Sequence, residues 1–163
     1  MPAVTTLDAD LALAHELADL ADTITMKRFR AEDLIVETKP DMTPVSEADR
    51  AVEQAMRARL ADVHAGDTVL GEEYGQDDGT TAARRWIVDP IDGTKSYVRG
   101  MPVWATLLAL EQDGELVLGV VSAPALNRRW WATRGGGAFL REGTDAPRRL
   151  RVSAIANLAD AHL

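Results

Sequence analysis

Apolar residues recur at Leu13, Leu17, Leu20 and Ile24 with polar residues between them. That is the spacing of one helix face, and it predicts an amphipathic helix over residues 5–29. Thr5 with Asp8 has the form of a capping box at its start, Met26 and Phe29 extend its apolar face, and Lys27 and Arg28 stand near its end, where cations suit the helix dipole. Leu34 to Thr38 alternates as a short strand, and the two prolines of residues 39–44 make a loop. A second helix opens at Ser46-Glu47-Ala48-Asp49, again in capping-box form, with Val52, Met56, Leu60 and Val63 as its buried stripe. After His64-Ala65-Gly66-Asp67 the period changes. Short runs at Thr68–Leu70, Trp86–Val88, Val103–Leu110, Leu116–Ala123, Arg129–Thr133, Ala138–Arg141 and Arg148–Val152 read as strands. Gln112-Asp113-Gly114-Glu115 is a hairpin turn, residues 74–85 form a polar loop, and Gly135-Gly136-Gly137 is a second turn, since it lacks the Lys-Ser/Thr of a phosphate loop. Helices first and hairpin-linked strands after predict an α+β fold, with two helices packed on a mainly antiparallel sheet.

Composition narrows the class. A chain of 163 residues suits one domain with a proper core, and 46% hydrophobic residues argue against disorder. No run of ~18 apolar residues is present, so no membrane association is expected. The first eight residues have neither a basic region nor an apolar core, so no signal peptide is expected. The absence of cysteine excludes disulfides, thiolate metal sites and a cysteine nucleophile. Together these favour a cytoplasmic location. The net charge of −8 disfavours a nucleic-acid partner and serves solubility. His15 has no second His or Cys at ligand spacing and reads as structural or exposed.

The chemistry gathers at Trp86-Ile87-Val88-Asp89-Pro90-Ile91-Asp92-Gly93-Thr94. A buried strand ends in an aspartate, and Pro90 holds Asp89 extended, which places Asp89 at the strand's end. Gly93 permits a sharp turn or the close approach of a ligand. Thr94 is suited to cap a short helix over 95–98, aiming free N–H groups at an anion. Asp-Gly-Thr taken by itself is also an ordinary surface turn. A second acidic strand end stands upstream, Thr68-Val69-Leu70-Gly71-Glu72-Glu73. Two such ends repel if adjacent, and a divalent cation removes the repulsion. Oxygen ligands without Cys or His suit Mg²⁺ or Mn²⁺ rather than zinc.

Gly71-Glu72-Glu73 followed by Asp89-Pro90-Ile91-Asp92-Gly93-Thr94 resembles the inositol monophosphatase-like family of Mg²⁺-dependent, Li⁺-sensitive phosphatases. Residues 39–49 are similar to that family's Lys-x-Asp-x-x-x-Val-x-x-x-Asp segment. Within the family, the run through Val98-Arg99-Gly100 and Pro102 to Leu107, with the later Ser122–Ala132, looks most like the histidinol-phosphate phosphatases of histidine biosynthesis. The resemblance implies the N-terminal half of the family fold over residues 1–153. Residues 154–163 would then begin a linker to a C-terminal α/β domain carrying a further aspartate of the metal site.

It also implies roles. Glu72, Asp89 and the Ile91 carbonyl would hold one metal. Asp92, with Asp89 bridging, would hold a second. Glu72 and Thr94 would orient the attacking water, and Gly93 and Thr94 amides would contact phosphate, so that Glu72, Ile91, Asp92, Gly93 and Thr94 form the substrate site. Lys39 and Thr43 belong to an active-site loop on this resemblance, or to a plain connector without it. Asp49 is a helix N3 residue and, by resemblance, lies near the metals. Lys95 and Arg99 add positive potential or pair at the surface, and Ser96 departs from the family's usual asparagine. The expected reaction is Mg²⁺-dependent hydrolysis of a small phosphate monoester, L-histidinol phosphate foremost, with Glu73 suited to its cationic amine. A homodimer is compatible. The alternatives are an inositol- or sugar-phosphate phosphatase and a catalytically incomplete fragment that only binds metal or self-associates.

Overall fold

The computed structural model describes residues 7–77 and 83–161; the Thr5 cap and part of the 74–85 loop lie outside them. The elements are α1 (Leu7–Arg28), β1 (Val36–Thr38), β2 (Pro44–Ser46), α2 (Glu47–Val63), β3 (Thr68–Gly71), β4 (Gly75–Gln76), β5 (Arg84–Asp92), α3 (Thr94–Val98), β6 (Ala105–Gln112), β7 (Glu115–Ala123), β8 (Arg128–Thr133), β9 (Gly137–Glu142) and β10 (Arg148–Leu150). The main sheet runs β10-β9-β8-β7-β6-β5-β3-β4, and β1 and β2 form a separate hairpin. Among the described residues all pairings of the main sheet are antiparallel except β3 with β5, which is parallel, with Gly71 opposite Val88. The α+β layering expected from the sequence is what forms, and the short helix expected over residues 95–98 is α3.

Strict alternation builds the core. Trp86 and Val88 of β5, Leu108 and Leu110 of β6, and Leu118 and Val120 of β7 point to one face and are buried. That face is covered by α1 and α2, which pack on it through Leu13, Leu17, Val52, Met56 and Leu60. The buried stripe of α1 is turned from the predicted one: Ala14, Ala18 and Ala21 are fully buried beside Leu13 and Leu17, Leu20 and Ile24 are only half-buried, and Met26 is 43% exposed. Small residues there let the helix lie close to the sheet and to α2. Val63, predicted in the stripe of α2, is the last residue of the helix and is exposed. The opposite face of the sheet stays open. Leu70, Ile87, Leu107, Ala109 and Val121 line a groove of about 570 Å³ on it.

Two further predictions are adjusted. Pro90 does not end β5, which continues to Asp92 through a shift of register between Asp89 and Asp92. The shift relieves the ladder of the N–H that proline lacks, and the Pro90 carbonyl accepts instead from the Thr106 hydroxyl at 2.8 Å. The β6–β7 hairpin turns on Asp113 and Gly114, both at positive φ (52° and 79°), the requirement of a two-residue turn of this hand. Among the described residues no helix is long and apolar enough to cross a membrane. His15 makes an edge-on contact with Trp131, 4.8 Å between ring centroids, in keeping with a structural role.

Candidate metal and phosphate site

Parallel pairing of β3 and β5 carries both acidic motifs to one edge of the sheet. Glu72 is the first residue beyond β3, and its amide donates to the Val88 carbonyl at 3.2 Å, directly before Asp89. Asp89 shares the open face with Arg85 and Ile87, so its carboxyl points away from the helices. Asp92 follows at the end of β5, exposed. Gly93 then takes φ 89°, and α3 begins. A Cβ at Gly93 would stand 3.1 Å from the Val103 carbonyl, so both the turn and the packing call for glycine. Asp89, Ile91, Asp92, Gly93, Thr94 and Glu72 line one hollow of about 360 Å³, which Asp41 and Thr43 close from the other side. The candidate residues are therefore brought together.

Thr94 does not cap α3 with its side chain; Gly93 is the cap. Its hydroxyl faces the Ile91 carbonyl at 3.0 Å and Asp49 Oδ1 at 3.2 Å. Asp49 is almost wholly buried. Its Oδ2 accepts from the Ser46 amide at 2.8 Å and the Ser46 hydroxyl at 2.6 Å, closing the predicted capping box of α2. Asp49 is thus an N3 residue that also touches Thr94, so α2 and the start of α3 are tied through one carboxylate. Tyr97 anchors α3 from its other side, donating to the Thr25 carbonyl at 2.8 Å and packing edge-on against Trp104.

The loop of residues 39–43 folds on itself. The Lys39 amide donates to the Thr43 carbonyl at 2.8 Å, Met42 sits at φ 69°, and the Thr43 hydroxyl donates to Asp41 Oδ1 at 2.6 Å. Thr43 therefore faces Asp41 within its own loop. Lys39 reaches across to the acids, with Nζ 2.9 Å from Glu72 Oε1 and 2.7 Å from Glu73 Oε1. Burial lowers the pKa of this ammonium, but its hydrogen bonds to Glu73 and Glu72 outweigh that and hold it above the ordinary lysine value. The Glu73 side chain is only 5% exposed and held by Lys39, so it does not present a free carboxylate to a cationic substrate.

Charge at Asp89 is poorly accommodated by the protein alone. Oδ1 of Asp89 is buried and finds no hydrogen-bond partner among the described residues. Burial, the neighbouring Glu72 carboxyl, and the charges of Asp92 and Asp49 push its pKa up to about 8. Among the described residues no three carboxylate or imidazole side chains converge in a metal-holding arrangement, Glu72 being turned toward Lys39. The donor set nonetheless fits a hard divalent cation: all oxygen, acid-rich, with one buried oxygen unsatisfied. Glu53 was not singled out by sequence pattern, yet it is fully buried against the Glu72–Tyr74 turn. The available signal was its place one turn beyond Asp49, on the same side of α2 as Met56.

Known proteins define the class. The family profile described as the inositol monophosphatase family matches residues 6–163. A histidinol-phosphatase of Streptomyces coelicolor is 56% identical over 156 residues, covering 93% of this chain and 58% of its own length. A solved structure, extragenic suppressor protein SuhB from Bartonella henselae, superposes with a TM-score of 0.81 at 32% identity, over 90% of this chain and 55% of its own. An IMPase/NADP phosphatase solved with Mg²⁺ and phosphate superposes with a TM-score of 0.75 at 26% identity, over 83% of this chain and 52% of its own. The fold is that of these two solved structures. The chain belongs to the inositol monophosphatase family, and it spans a little over half the length of these relatives.

Proposed function

We propose that the protein hydrolyses small phosphate monoesters with a divalent cation, L-histidinol phosphate foremost, and that residues 1–153 carry the metal and phosphate part of its site. The observation that carries this reading is Asp89, a carboxyl with a buried unpartnered oxygen pressed between other acids at the edge where α3 begins. The similarity to a histidinol-phosphatase supports the choice of substrate, and the Mg²⁺ and phosphate of a solved relative support the choice of metal.

Glu72, Asp89 and Asp92, with the Ile91 carbonyl, would hold Mg²⁺ or Mn²⁺. When bound, the cation neutralises phosphate charge and makes water more acidic. The protein's own groups do the rest. The Thr94 hydroxyl, fixed by Ile91 and Asp49, and the Glu72 carboxylate orient the attacking water, and Glu72 takes up its proton. The Gly93 and Thr94 N–H groups precede the first bond within α3, so they have no partner in the helix and offer themselves to phosphate oxygens. Lys39, held at the Glu72 carboxylate, and Thr43 across the hollow are accessory to this arrangement. Asp49 acts through Thr94.

Phosphate release from L-histidinol phosphate, beside inositol 1-phosphate, tests the reading with Mg²⁺, with EDTA, and with Li⁺ added. Mg²⁺-dependent, Li⁺-inhibited release favouring histidinol phosphate is expected. A preference for inositol 1-phosphate selects the sugar-phosphate alternative. No release from either by a chain folded by circular dichroism refutes turnover by this chain and leaves a metal-binding fragment.

A further inference from the structure

The sheet is only one of the supports of the turn that carries Glu72. Glu53, on α2, is 0% exposed, and its carboxylate stands against the inner side of that turn. Oε2 accepts the Glu73 amide at 2.7 Å, and Oε1 accepts the Tyr74 amide at 3.2 Å. Arg57, one helical turn on, donates Nε to Glu53 Oε1 at 2.9 Å. The same guanidinium binds Asp77 and the Gly75 carbonyl, so it clasps the far end of the turn as well. Gly71, immediately before Glu72, leaves room for this approach: a Cβ there would lie 1.8 Å from Glu53 Oε1.

A buried carboxylate is tolerated only where charged or polar partners fill its oxygens. Here the partners are the amides of the two residues that directly follow Glu72, together with Arg57. An apolar residue at position 53 would fill the same space and hold neither amide. The arrangement fixes the backbone that directly follows Glu72, while the Glu72 carboxylate itself is met only by Lys39 from the loop of residues 39–43 among the hydrogen bonds of the described residues.

We propose that Glu53 is a positioning residue for the candidate metal site: by holding the Glu73 and Tyr74 amides it sets the direction in which Glu72 presents its carboxylate. The role rests on the reading of Glu72 as a metal ligand. The test compares the wild-type chain with Glu53→Gln, which keeps the shape but replaces one acceptor oxygen by a donor. Two quantities are measured: Mn²⁺ affinity, from the electron paramagnetic resonance of free Mn²⁺, and hydrogen exchange at the Glu73 and Tyr74 amides without metal. Expected are exchange faster by about tenfold at those two amides and Mn²⁺ binding weaker by about 10- to 100-fold, the usual cost of removing a group that orients a metal ligand. Wild-type Mn²⁺ affinity in the variant, with faster exchange, overturns the proposal: Glu53 then holds the turn without positioning Glu72. A wild-type chain that binds no Mn²⁺ refutes the metal-site reading itself, and the role of Glu53 with it. Should Glu53→Gln not fold, Gly71→Ala displaces the carboxylate while keeping its charge. Weakened Mn²⁺ binding in that variant sustains the proposal, and unchanged binding overturns it.

Discussion

Replacing Asp49 by alanine isolates the link between α2 and the start of α3. In the native chain the buried Asp49 carboxylate takes three hydrogen bonds, two from Ser46 and one from Thr94. Ser46 is itself fully buried, so Asp49→Ala leaves its amide without an acceptor and out of reach of water. An orphaned buried donor costs about 1–3 kcal/mol, and loss of a helix cap costs about 0.5–2 kcal/mol. These overlap, because the Ser46 amide is part of the cap. Relief of the burial that raises the Asp49 pKa offsets some of the loss. The net is a destabilisation of about 2 kcal/mol, or a fall in Tm of about 4–8 °C for a domain of this size. Urea unfolding at pH 7, followed by tryptophan fluorescence, measures it as a lower midpoint at unchanged slope. Asp49→Asn keeps an acceptor for Ser46 and should lose less than half as much. An alanine variant within about 0.5 kcal/mol of wild type would refute the account of Asp49 as a structural tie, since that is the range of an unconstrained surface site.

Two other outcomes follow from the same geometry. The Asp89 pKa stands above its unfolded value, so the folded metal-free chain holds a proton there that the unfolded chain releases; stability from this group is present at acid pH and is lost as pH rises through about 8. Thermal scans in EDTA should show that decline, Mg²⁺ should reverse it at pH 8, and Asp89→Asn should abolish both effects along with any turnover; Mg²⁺-dependent turnover in that variant would sink the assignment of Asp89. Leu17→Ala, at a position of α1 with 0% exposure within the main core cluster, should cost about 2–5 kcal/mol by urea unfolding and leave Mn²⁺ affinity unchanged while the chain stays folded.

Much of this was legible in the sequence because it depends on short-range pattern. Period-two runs marked the strands, Asp113-Gly114 marked the hairpin, and Ser46 to Asp49 marked the cap, each a feature decided within a few residues. The departures have long-range causes. Pro90 is a strand breaker by local rule, yet β5 passes through it because β6 adapts with a shift of register and Thr106 takes up the Pro90 carbonyl. Thr94 looked like a cap and became a bridge, because the Asp49 carboxylate arrives from a helix 45 positions earlier in sequence. Glu53 was passed over because a charged residue on a helix is ordinarily solvated. Only the fold shows that two backbone amides and an arginine surround it.

The parallel pairing of β3 with β5 explains why the acids meet. In an antiparallel pair the ends of two successive strands lie at opposite edges, so a motif following each would be a strand length apart. β3 and β5 instead run the same way, in a register that sets Gly71 beside Val88. The residues just beyond that match, Glu72 and Asp89, must then emerge side by side. The pairing therefore adds the carboxylate repulsion that, together with burial, lifts the Asp89 pKa, and it does so at the edge where α3 begins. An edge built this way needs two things the strand pairing of β3 with β5 and β4 does not supply: a cation to balance the carboxylates, and a brace for the turn that carries the chain from Glu72 into β4. Glu53 and the missing side chain of Gly71 meet the second need. The acid cluster and its brace are consequences of the same strand order, so a substitution that loosens the brace should be felt first in metal affinity and only afterwards in global stability.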